Sequence, residues 1–214
     1  MGVPGFVNRV HAVLKSLNCD GRRGLTLLAL CVLLCLPTLG GAPGRLLLRY
    51  DRLQLAAGQW WRLVTAHLVH LDLHHALLNT LGFALMWALF EREYSPRQWL
   101  AILLGSIAAI DAGLWLADST VLWYVGSSGA LHGIMAAGVL AMVRNRELSG
   151  LLLAVVLVAK IAYEQRMGPL PLSGSDPVVV DAHLYGALGG LLVGVVLRPG
   201  KPRREAVGQR APTL

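Results

Sequence analysis

Charge is scarce in this sequence. Only 14% of its 214 residues are Asp, Glu, Lys or Arg, while 55% are hydrophobic and the mean hydropathy is +0.58. A soluble globular chain carries roughly 25% charged residues, so a water-soluble single domain is excluded. Cysteine is scarce too: Cys19, Cys31 and Cys35 are odd in number and lack metal-type spacing, which excludes a disulfide framework or a zinc finger. There is no HExxH pattern, so a zinc protease of that type is also excluded. No internal repeat suggests an inverted-repeat transporter. The length suits one compact domain.

What the chain does have is long apolar runs. Six segments approach the roughly 20 residues that cross a bilayer as a helix: Gly24–Leu39, His74–Phe90, Gln98–Ala117, Ser128–Val143, Gly150–Ala162 and Ala182–Leu197. With five more apolar segments behind it, the first reads as a retained span and not a signal peptide. Placing the N-terminus inside puts 13 of the 19 Lys and Arg residues on one side, and the positive-inside rule then gives an N-in/C-in topology. The expected architecture is an all-α membrane protein of six transmembrane helices. Residues 1–23 would be a cytoplasmic N-terminal segment, 24–197 the six-span domain with an outer loop at 40–73, and 198–214 a basic, disordered cytoplasmic tail near anionic lipid. Because the positive charge sorts by membrane side, no nucleic-acid partner is expected. Trp60, Trp61 and Arg62 in the long loop suit the headgroup region. Inside or at the edges of the spans, Asp111, Lys160 and Glu164 are expensive to bury unpaired; Lys160 and Glu164, at i,i+4, can pair along one helix face.

Against this apolar background the polar residues stand out. Gly126-Ser127-Ser128-Gly129-Ala130-Leu131-His132-Gly133 opens the fourth span, and small neighbours leave the Ser128 hydroxyl approachable. A nucleophilic serine needs a base, and His183 at the start of the sixth span is the candidate. Gly186 and Gly190 follow it at small-xxx-small spacing, repeated by Gly129 and Gly133 in the fourth span, so the two helices can pack closely enough for Ser128 to meet His183. His75 and Asn79, at i,i+4 in the second span, can both donate to an oxyanion. In the N-in topology the second, fourth and sixth spans all begin on the outer face, which brings these four residues to one depth. The histidines around the long loop, His67, His70, His74 and His75, have no Cys or Glu companions and read as loop structure, so neither a metal nor another cofactor is expected. Asp181 lies on a different helix face from His183 and is not read as a triad carboxylate.

These residues resemble the rhomboid family of intramembrane serine proteases from Trp61 to Gly190: Trp61-Arg62, Thr65, His70, His75 with Asn79, Gly126-x-Ser128-Gly129, and His183 followed by GxxxG. Within it, Gly-Ser-Ser-Gly-Ala-Leu-His-Gly at 126–133, Lys160-Ile161-Ala162-Tyr163-Glu164-Gln165 and Asp181-Ala182-His183-Leu184-Tyr185-Gly186 look most like rhombosortases. The resemblance implies a Ser128–His183 dyad and an oxyanion site of His75, Asn79 and the Ser128 backbone N–H. It also implies membrane-anchored protein substrates whose C-terminal sorting signal is a Gly-rich motif, one hydrophobic span and a basic end, cut at the periplasmic side of a bacterial inner membrane. The chain departs from the family pattern in two ways. His132 replaces the tyrosine that typically stacks on the catalytic histidine four residues after the nucleophile, and Ala66 replaces an upstream histidine while His67 and His74 are extra. A catalytically dead binder of membrane clients and a generic rhomboid without a sorting role are the alternatives.

Overall fold

The structure, a computed structural model, is described for residues 3–170 and 178–197. It is built from helices: α1 (Val3–Ser16), α2 (Gly21–Cys35), a 3-10 turn (Leu36–Gly40), α3 (Gly41–Leu48), the short strand β1 (Tyr50–Asp51), α4 (Arg52–Ala56), α5 (Arg62–Thr65), α6 (Leu73–Phe90), α7 (Pro96–Leu116), strand β2 (Trp123–Tyr124), α8 (Ser128–Arg144), α9 (Leu148–Met167) and α10 (Val180–Val196). Among the described residues, four helical stretches are long and apolar enough to cross a membrane: Gly21–Leu48, Leu73–Phe90, Pro96–Leu116 and Leu148–Met167. The other two apolar helices, α8 and α10, have 17 residues each, near the lower limit for a span.

Local chemistry starts the long helices where it does. Ser95 and Gln98 form a capping box with Pro96 at the first turn of α7, satisfying donors that the helix itself leaves open. Asp72 caps α6 by accepting the His75 N–H at 2.8 Å, which fixes where His75 enters its helix. Across the opposite end of α6, Asn18 donates to Ala88 O at 3.0 Å and accepts from Trp87 Nε1 at 2.9 Å, and Arg23 pairs with Glu91 at 3.0 Å. Those contacts tie the start of α2 to the end of α6.

The interior is made by α8, and α10 packs on it and on α7. The buried residues of α10 are Ala182, His183, Gly186, Ala187, Gly189, Gly190 and Gly194, all but one of them glycine or alanine, so backbone meets backbone. A Cβ on Gly129 would lie 2.7 Å from Ala182 O, and one on Gly133 would lie 2.5 Å from Gly186 O. The outer helices are the reverse. No residue of α2 is buried, and α9 buries only Gly150, Leu157 and Glu164; apart from half-buried residues such as Leu153, Ala154 and Ile161 that pack on the core, much of their apolar surface faces outward, as suits lipid.

Two boundaries and the surroundings of Arg62 differ from the sequence expectation. Helix continues through the 3-10 turn and α3 to Leu48, nine residues into the expected 40–73 loop, because Leu46-Leu47-Leu48 prolongs the apolar run. Helix α9 ends at Met167 and not near Ala162, since Lys160 and Glu164 satisfy each other at 2.7 Å inside the helix. Arg62, expected to suit a headgroup region, is buried within the protein: it donates to Leu46 O, Arg49 O and Gln59 Oε1 at 2.9, 2.8 and 2.8 Å. Its neighbours Trp60 and Trp61 remain exposed. The antiparallel pair β1–β2, matching Tyr50 with Tyr124 and Asp51 with Trp123, was not signalled by the sequence. The basic segment 198–214 lies outside the described residues.

Candidate active site

Ser128 is the first residue of α8 and His183 lies in the first turn of α10. Because the glycine ridges let these helices touch, Ser128 Oγ and His183 Nε2 come within 2.9 Å, a hydrogen bond. His183 is 5% exposed, so the pair sits where water is sparse. A cavity of about 300 Å³ opens on it, lined by Ser128, His75, Trp123, Tyr124 and Val179 among others.

The two expected oxyanion donors stand on the facing wall. Leu71 N–H donates to His75 Nδ1 at 3.4 Å, which leaves Nε2 as the protonated nitrogen. The Asn79 amide donates to His75 O at 3.2 Å, keeping a second N–H for other use. Gly126 shows how near these groups are: a Cβ there would fall 3.1 Å from His75 Nε2 and 3.8 Å from Asn79 Nδ2. Its φ of +114° is a conformation that glycine alone adopts readily. The turn is held by Gly126 N–H on Ala66 O at 2.9 Å and by Tyr124 OH on Gly126 O at 2.6 Å. Ser127 makes no side-chain cap for α8, so first-turn N–H groups, that of Ser128 included, have no helical acceptor and point positive dipole at the cavity.

Residues 57–200 match the rhomboid domain. The chain belongs to the rhomboid family. Among relatives, YdcA of Bacillus subtilis (strain 168), named as a rhomboid protease, is 27% identical over 152 residues, 71% of this chain and 74% of YdcA. The rhomboid protease GluP of the same organism is 27% identical over 165 residues, covering 73% of this chain but only 29% of the longer GluP. This rhomboid is an integral membrane protein and an intramembrane serine protease, acting on membrane-protein substrates within the bilayer.

Further contacts surround the pair in this rhomboid, and those of Asp111 and Glu164 were not foreseen from its sequence. The His132 ring stacks on His183 at 4.2 Å between centroids and 18° from parallel, in the place where the family usually has tyrosine. Its Nδ1 donates to Ser128 O at 2.7 Å. Asp111, which had no assigned role, accepts from buried His67 at 3.3 Å. The largest omission is Glu164, which faces His183 Nδ1 at 2.9 Å on the side away from Ser128. Donor atoms of His132, Glu164 and His183 lie within 4.8 Å of one another, a spacing that suits a metal ion. Yet the two rings are nearly parallel, so their lone pairs run side by side and do not converge on one point. The loop histidines likewise take separate partners: His67 has Asp111, His70 has Ser127 Oγ at 3.4 Å, His75 has Leu71 N–H, and His74 is exposed.

His70 gives this site a pH dependence. Burial, and then the neighbouring charge of His75, pull its imidazole down from 6.5 to about 4. Between those values an unfolded chain binds a proton that the folded protein does not, so the stabilisation from neutral His70 is complete above pH 6.5 and is lost as pH falls toward 4. Stability in detergent is expected to drop by about 1 kcal/mol per pH unit over that window. His70→Gln should flatten the slope of thermal midpoint against pH. An unchanged slope in the variant would remove His70 as its origin.

Proposed function

We propose that Ser128 is the nucleophile and His183 the general base of this protease, with His75, Asn79 and the Ser128 backbone N–H receiving the oxyanion. The observation that carries the assignment is the 2.9 Å Ser128 Oγ–His183 Nε2 bond at a cavity that His75 also lines. The hydroxyl proton passes to Nε2 as Oγ attacks the scissile carbonyl, Nε2–H then protonates the leaving amine, and a second nucleophile resolves the acyl-enzyme. Donors prepositioned in a water-poor pocket are worth several kcal/mol to the developing oxyanion. An inactive binder is disfavoured, because such a protein has no need of a serine hydrogen-bonded to a buried histidine.

The substrates we propose are surface or secreted proteins held by a C-terminal anchor, in the manner of rhombosortases: a Gly-rich motif, one apolar span and a basic end. Glycine costs a helix roughly 1 kcal/mol per residue relative to alanine, so a Gly-rich segment unwinds readily. It also carries no side chain to exclude it from a cavity of about 300 Å³. In this reading α8 and α10 complete six spans around the site. The N- and C-termini lie inside, with 1–23 cytoplasmic, 24–197 the catalytic bundle and 198–214 a basic tail. The site faces the periplasmic side of a bacterial inner membrane.

The test is a secreted reporter fused to such an anchor and coexpressed with the protease, beside a copy whose Gly-rich motif is replaced by Val and Ile. Release of the first and retention of the second is the expected result. Equal release of both would leave a rhomboid protease without a sorting role. A wild-type protein that stays unlabelled by fluorophosphonate would favour the inactive binder.

A further inference from the structure

Only three residues of α9 are buried, and one of them is a carboxylate. Glu164 is 2% exposed on a helix whose other faces are apolar, where an unpartnered charge is costly. It has two partners, one for each oxygen. Lys160 Nζ donates to Oε1 at 2.7 Å, and His183 Nδ1 lies 2.9 Å from Oε2. Lysine has only donors, and its ammonium keeps Glu164 in the ionised, accepting form, so the proton on His183 belongs to Nδ1. That leaves the Nε2 lone pair for Ser128 Oγ, 2.9 Å away. His132 covers the ring face at 4.2 Å, so the imidazole is held both in plane and by stacking.

We propose that Glu164, itself held by Lys160, is the positioning residue for His183, so that the hydrolytic set is Ser128–His183–Glu164 with a lysine strut and not a dyad. The inference rests on the reading of Ser128 and His183 given above. A neutral imidazole without an acceptor at Nδ1 exchanges between two tautomers, of which only the Nδ1–H form can take the serine proton. Glu164 selects that form. When the Ser128 proton arrives at Nε2 and the Oγ–carbonyl bond forms, the resulting imidazolium keeps its Nδ1–H on the carboxylate; it loses the Nε2 proton to the amine as the C–N bond breaks. Glu164 takes no proton itself. Lys160 binds the second oxygen, which stops the carboxylate from rotating and balances its charge while the imidazole is neutral.

The two-oxygen arrangement makes the near-isosteric Glu164→Gln decisive. Glutamine has a single acceptor oxygen and an amide that donates. Lys160, able only to donate, claims the oxygen and turns the amide toward His183 Nδ1, which must then accept. The imidazole proton moves to Nε2 and the base is lost. The expected result is a fall in kcat of at least about 10²-fold with KM little changed, since a wrongly protonated base costs a soluble serine protease about 10⁴-fold. Removing the lysine as well reverses the logic. In Lys160→Met/Glu164→Gln the amide is free to rotate, its oxygen accepts from Nδ1–H, and kcat should rise at least about tenfold above Glu164→Gln. A purely structural pair would behave oppositely, with the double variant no better than the single.

Cleavage of a membrane client by the purified full-length protein in detergent is the measurement, with Ser128→Ala run beside it. A Glu164→Gln protein within about threefold of wild type overturns the proposal, as does a double variant no faster than the single. If Glu164→Gln does not fold, Lys160→Met/Glu164→Gln is compared with Lys160→Met/Glu164→Met, neither of which buries an unpaired charge. A faster glutamine double supports the proposal and equal rates overturn it. Cleavage retained by Ser128→Ala would instead strike at the nucleophile, whereas an inert Ser128→Ala with fast Glu164 variants removes Glu164 alone.

Discussion

Ser128→Ala is expected to leave a folded membrane protein that cleaves nothing. The substitution removes one oxygen at the cavity and the hydrogen bond to His183, a change of about 1 kcal/mol in stability. The kinetic cost is far larger. Loss of the nucleophile in a soluble serine protease lowers kcat by roughly 10⁶-fold, and the oxyanion donors that remain have no acyl-enzyme to form. The adjacent serine supplies the control. Ser127 Oγ faces His70 at 3.4 Å and not His183, so Ser127→Ala should retain cleavage within about tenfold, the loss reflecting only a weaker loop contact. Fluorophosphonate labelling read by peptide mapping distinguishes the two: the adduct should sit on Ser128 in wild type and in Ser127→Ala, and vanish in Ser128→Ala. Client cleavage by Ser128→Ala would refute the assignment outright.

The part of this site that could be read from sequence is the part that apolar surroundings make conspicuous. In spans with so little charge, a serine between glycines, a histidine before GxxxG and an HxxxN pair have few structural excuses, and alternating spans put their starts on one side. Glu164 was visible as half of an i,i+4 pair with Lys160, a pairing that could be structural or could line the site, and local pattern does not choose between the two. What it faces is decided by the rotation of α9 about its axis and by the packing of α9 beside α10, 19 residues away, and neither follows from local pattern. Asp111 failed to be explained for the same reason, since its partner His67 is 44 residues distant and in a loop. The β1–β2 pair escaped because two-residue strands carry no periodicity to detect. The burial of Arg62 was not legible because arginine beside two tryptophans also fits a headgroup zone. Two of its three acceptors, Leu46 O and Arg49 O, are presented by α3 and its end, 16 and 13 residues away, and the third is Gln59 Oε1 just before α5.

Gly186→Ala should slow cleavage by at least about 10²-fold, although Gly186 carries no side chain that could take part in the chemistry. The added methyl would run into the backbone of Gly129, with Gly129 C at 2.6 Å and Ile110 Cδ1 at 3.2 Å. Backbone cannot rotate away as a side chain can, so α10 must move off α8. Overpacking of this kind costs about 1–3 kcal/mol, which should register as a lower thermal midpoint in detergent. Activity is more sensitive, because Ser128 and His183 sit on the two helices being separated and their 2.9 Å bond has no slack. A displacement of about 1 Å costs on the order of 10²-fold in rate, so kcat should fall at least that far even where the protein stays folded. Gly40→Ala is the contrast: φ there is −69° and nothing lies within 4 Å of the new methyl, so both stability and cleavage should hold. If Gly186→Ala were instead as active as Gly40→Ala, the close approach of α8 and α10 would not be what brings serine and histidine together. The small-residue ridge would then be a packing convenience with no bearing on catalysis.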